Sequence, residues 1–236
     1  MEYLANGQLL GKTPTPIDQL IGAILATGQK PNRSRTEFIK RIGEMRPEVQ
    51  TKLAGNAQDG NYKLADTTLY TKALAPAGTT RVDLIKTGIG KKLGIRSFTA
   101  EGQVDNLTCM VVDKLCLLGG IAAAISGGAA ASTDIAILSA DLQRLNLVNG
   151  LEQLINGELT IQVDNNYHIQ GMPLSRFLTI ANGQTILRDG ELVLDNPFVI
   201  HPNSTVKAEI LMDNGDNIAA NAFLSLEFIG SGTLRR

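Results

Sequence analysis

The chain of 236 residues has no tryptophan, two histidines, two cysteines and few other aromatics, four Tyr and six Phe. Each shortage narrows what it can do. Sugar-binding platforms commonly use exposed aromatic rings, so a chain without Trp is poorly equipped as a lectin-like module. Cys109 and Cys116 stand seven apart, which in an alternating strand puts them on opposite faces. They are then poor partners for a disulfide or a metal, and read as buried thiols of a reducing compartment. A dominant charge is missing too: 22 basic and 23 acidic residues leave a formal net charge of -1, and the pI is about 6.1. That balance argues against polyphosphate binding driven by global charge, and self-repulsion between copies is small. The first residues, "MEYLANGQLLGKTPTP", show no basic segment followed by an apolar core, so no signal peptide is expected. The Asn-x-Ser/Thr sequons at Asn106 and Asn203 then carry no meaning.

What is present begins with 43% hydrophobic residues, too many for a disordered chain. A chain this long buries roughly 70–75% of its unfolded surface and needs no metal or disulfide to hold a core. The run "KLCLLGGIAAAISGGAAASTD" has 19 uncharged residues between Lys114 and Asp134, about the length of a membrane-spanning helix. Four glycines, two serines, a threonine and six alanines make it weakly apolar, and no aromatic residue flanks it. A strand over Thr108–Leu118 that runs into a small-residue loop, packed closely by a neighbour at Ala123, is the expected structure.

The periodicity divides the chain in two. Over the first 58 residues it is helical. "TPIDQLIGAILATG" offers Thr15 as N-cap, Pro16 at the first helical position, an apolar stripe that includes Ile17, Leu20 and Ile24, and Gly28 as the stop. "SRTEFIKRIGEM" has Ser34 and Glu37 in capping-box spacing and Phe38 and Ile42 on one side. Short amphipathic helices of this kind need a surface to bury their stripes. After the linker "GNAQDGN" the period becomes two. "LYTKAL" and "TTRVDLI" are strands around the turn "APAG". "ELTIQVD" turns Leu159, Ile161 and Val163 inward; "TVKAEILM" does so with Val206, Ala208, Ile210 and Met212; "AFLSLEF" does so with Leu224, Leu226 and Phe228, leaving Ser225 and Glu227 outward. Met110–Leu118 is apolar on both faces apart from Asp113 and Lys114, as a strand covered on both sides would be, a neighbouring subunit being one such cover. Ile135, Leu138, Leu142 and Leu145 predict a helix over about 134–148.

Catalytic and metal patterns are wanting. His168 and His201 cannot furnish a cupin-type site, which usually takes three histidines and a carboxylate. Gly-x-Ser-x-Gly is absent, and neither cysteine has a nucleophile's context. "TGIGKKLG" fails the phosphate-loop pattern at Ile85 and the dinucleotide pattern at Leu93. It reads as a basic contact loop, with Arg81, Lys86, Lys91, Lys92 and Arg96 nearby, facing solvent, an acidic neighbour or packaged nucleic acid. "DNN" and "DNGDN" lack calcium-loop spacing and read as hairpin turns. No enzyme activity and no cofactor are expected.

The last third carries a resemblance. "NPFVIHPNSTVKAEILMDNG" followed by "NAFLSLEFIGSGTLRR" resembles the final strands of jelly-roll coat proteins from tailless icosahedral bacteriophages, in which a polar hairpin joins two long strands before a terminal L-x-G-x-x-x-R. "GELTIQVDNNYHIQGMPLSRF" is similar to their strand–turn–strand, so the likeness spans about 155–236. It implies a mainly β chain: a single jelly-roll β-sandwich over 59–236, with an inserted helix near 134–148 and a helical arm over 1–58. It also implies a virion structural protein, a self-assembling coat or head subunit built in the host cytoplasm. Its partners would be itself and other virion proteins; the apolar stripes of Ile17, Leu20, Ile24, Phe38 and Ile42, and Ala123 in the small-residue run, are the expected assembly contacts. The alternatives are a carbohydrate-binding or surface-adhesion β-sandwich module, or a tail or fibre component.

Overall fold

A computed structural model describes residue 37 and residues 62–105, 109–121, 142–144, 152–182, 185–213 and 222–235. The helical arm therefore lies outside the described residues except for Glu37, which is helical. From residue 62 onward the period of two becomes strand, as the alternation requires. β1 (Tyr62–Ala75) leads through a turn to β2 (Arg81–Asp83). There Thr79 N donates to Pro76 O and Gly78 takes φ of 80°, the left-handed position a type II turn asks of its third residue. β3 (Met110–Ile121) and the two-residue β4 (Gln143–Arg144) follow. β5 (Glu158–Val163) and β6 (Asn166–Pro173) form a hairpin whose two turn residues, Asp164 and Asn165, have φ of 50° and 68°. Asn and Asp tolerate that conformation best among residues with a side chain. A small hairpin, β7 (Thr179–Asn182) and β8 (Thr185–Asp189), precedes the long strands β9 (Glu191–Ile200), β10 (Val206–Leu211) and β11 (Ala222–Arg235).

Two larger antiparallel sheets result, beside the two-stranded β7-β8. The first runs β1-β11-β3, with β9 and β4 end to end along the far edge of β3; the second runs β2-β10-β5-β6. Pairing is nested from the two ends of the described strands inward: β1 with β11, β2 with β10, β3 with β9, β5 with β6. Both sheets feed one buried cluster, a β-sandwich-like arrangement. Leu69, Leu115, Leu226 and Phe228 come from the first sheet, Leu159, Ile161, Val206 and Ile210 from the second, and Phe98 meets Phe228 edge-on at 5.8 Å.

β3 departs from simple alternation. Its pairing slips at Asp113 against both neighbours, a bulge that shifts the phase by one. Met110 and Val112 before it and Leu115 and Leu117 after it all join the core. Cys109 and Cys116 are left on the side away from the core, which corrects the expectation of opposite faces. Both are free and buried, and ~20 Å of strand separates residues seven apart. On the outer side of β3, Val111 is 0% and Cys116 2% exposed, whereas the Lys114 side chain between them is 42% exposed and lies 3.6 Å from Glu191. Within the helix expected over 134–148, Gln143 and Arg144 are extended and pair with Gly119 and Leu118; residues 134–141 and 145–148 lie outside the described residues. Among the described residues no helix is long and apolar enough to cross a membrane, and Leu115–Ile121 of the uncharged run are strand.

Candidate functional site

The basic segment after β2 is a built loop. Leu84 and Ile85 anchor its start in the core, and Ile95 and Arg96 are buried at its end. Residues 94–97 then follow the free edge of β1: Lys72 N donates to Ile95 O (2.9 Å), Ser97 N donates to Tyr70 O (2.9 Å), and Gly94 N donates to the Tyr70 hydroxyl (2.9 Å). Covering an edge in this way blocks unwanted strand addition.

Arg96 is only 2% exposed. Its Nη1 donates to the carbonyl oxygens of Lys86 and Ile89, the latter at 2.8 Å, so one guanidinium gathers the loop from inside. Burial holds its pKa below the ordinary arginine value. Arg81 has a different role. Its Nε donates to Asp83 Oδ1 (3.1 Å) and its Nη2 lies 2.7 Å from Glu209 Oε2. The hydrogen bond and charge of Asp83, then the charge of Glu209, raise its pKa. Of the five basic residues grouped by the sequence, Lys91 and Lys92 are exposed and Lys86 is half-buried. They share the loop with Leu93, which is 94% exposed. Ile17, Leu20, Ile24, Phe38, Ile42 and Ala123 lie outside the described residues.

The loop borders a feature that motif reading does not reach. On the outer face of the second sheet, a depression of about 570 Å³ lies between Arg81, Lys86, Thr160, Gln162, Tyr167 and Glu209. A second, of about 660 Å³, continues past Gln162 and Lys207 to Asn166, His201 and Asn203. Strand alternation supplies the lining: where Leu159, Ile161 and Val163 point into the core, Thr160 and Gln162 point out. The far end is fixed by Asp164, whose carboxylate accepts from Ser204 Oγ (2.6 Å) and Thr205 N (2.9 Å). That clasp ties the β5–β6 turn to the one between β9 and β10. The two histidines do not converge on one site, for His201 lines this groove while His168 stacks on Phe198 at 4.7 Å. Among the described residues no group of three or more His, Cys, Asp and Glu is placed to hold a metal ion.

No protein-family model matches the chain, and no curated protein or solved structure is similar enough to match it.

Proposed function

We propose that the chain is a virion structural protein, a single-jelly-roll coat or head subunit that assembles with copies of itself. The observation that carries this reading is the nested pairing of eight strands, β1 with β11, β2 with β10, β3 with β9 and β5 with β6, across two sheets. Nested pairing across two sheets supports a jelly roll, and capsid proteins are a principal use of that architecture. Fold alone assigns no function. The second support is the sequence resemblance to phage coat proteins, whose matched stretches become β9, β10 and β11. A net charge of -1 adds little repulsion to packing many copies side by side. In this reading the protein acts by assembly, without a cofactor, in the host cytoplasm and then in the virion.

Native mass spectrometry and negative-stain electron microscopy of the purified full-length protein test it. Closed oligomers or shell-like particles are the expected result. A protein that stays monomeric across concentration, salt and pH would overturn the reading.

A further inference from the structure

The two depressions on the outer face of β2-β10-β5-β6 are one groove, joined where both are lined by Gln162 and Lys207. Each falls in the ~300–1,000 Å³ range of small-ligand sites. The strand register sets Tyr167, Gln162 and Lys207 side by side across three strands. Tyr167 is 60% exposed, a flat ring presented at the groove's edge.

The charges of the lining cancel. Arg81, Lys86 and Lys207 face Asp83, Asp164 and Glu209, and Arg81 is bound directly to Asp83 and Glu209 while Asp164 is engaged by Ser204 and Thr205. A polyanion would need an excess of cations here, and a hydrophobic ligand would need an apolar lining. What remains is the Lys86 and Lys207 ammonium groups, which donate, and a set of neutral groups that both donate and accept: the amides of Gln103, Gln162, Asn166 and Asn203, and the Thr160 hydroxyl, which already accepts from Gly171 N (3.3 Å). An uncharged chain of hydroxyl-bearing rings matches that set, and Tyr167 offers a ring face for stacking. We propose that this groove binds a neutral oligosaccharide, which makes good locally the scarcity of aromatics in the whole chain. The proposal does not rest on the coat reading, since a monomer and a shell subunit would both carry the groove.

The test applies full-length protein to immobilised neutral chito-, malto- and cello-oligosaccharides and to sulfated counterparts, at low and at high salt. At least one neutral series should be retained, with little effect of salt. Tyr167→Ala and Gln162→Ala should each weaken that binding about tenfold, the loss expected for one stacking or hydrogen-bonding partner. Tyr167 is exposed, so its variant should melt at the wild-type temperature and separate lost binding from lost folding. Failure to retain any neutral series would overturn the proposal. So would retention of sulfated sugars only, abolished by salt, or binding that both variants leave intact. Particle formation is read separately by microscopy, so either idea can fail without the other.

Discussion

At Gly230 the backbone of β11 runs so close to β3 that a methyl group in place of its hydrogen would collide with the Val111 carbonyl. The neighbour is backbone inside a paired sheet and cannot swing aside. Gly230→Ala should therefore cost ~1–3 kcal/mol, as overpacking in a rigid region does. Gly90, with nothing within 4 Å of the same added atom, should tolerate alanine within ~0.5 kcal/mol. Urea denaturation of both variants checks the contrast. Cys109 makes a second residue-scale prediction. Burial pushes its thiol pKa up to about 12 from an ordinary 9.0. The unfolded chain thus releases this proton first, and the contribution to stability, whole below pH ~9, is lost as pH rises toward ~12. The stability of wild type should fall more steeply over that window than that of Cys109→Ala, and the folded protein's Cys109 should resist iodoacetamide at pH 8.

Among the elements, the loop from Lys86 to Arg96 depends most on one side chain. Replacing Arg96 by Leu leaves the carbonyl oxygens of Lys86 and Ile89 without their donor, a loss of ~1–3 kcal/mol. Hydrogen exchange should then quicken at Gly88 and Gly94, whose amides bond Ala100 O and the Tyr70 hydroxyl. Arg81→Ala removes exposed ion pairs to Asp83 and Glu209 and should leave the melting temperature nearly unchanged. Sequence reading places Arg96 with the contact cations because five basic residues close together look alike; a buried arginine is told apart by the carbonyls it faces, which only folding assembles. Strands with one core face were legible, and β5 and β10 bury the alternating residues their patterns name. β3 was not, because the bulge at Asp113 changes which residues face inward midway. β11 was legible on its core side alone, since Ser225 on the other side is fully buried. The groove was beyond reach: Tyr167, Gln162 and Lys207 meet through strand register, and no local spacing announces that β5 lies between β6 and β10.

At the scale of the molecule, β11 occupies an interior position of the first sheet, bonded to β1 on one side and β3 on the other. It brings Leu224, Leu226 and Phe228 into the core shared by both sheets. β1 and β3 have no pairing with each other except through it. During synthesis this strand is the last of the described elements to be made. At ~5–20 residues per second, β1 waits roughly ten to thirty seconds after its own synthesis for its partner. Until then the apolar faces of β1 and β3 stand open on the ribosome, and a truncated nascent chain has two strand edges and no strand to fill the gap between them. The first sheet therefore cannot close before β11 has been made, and a cell making the protein in quantity must keep many such open chains apart until then.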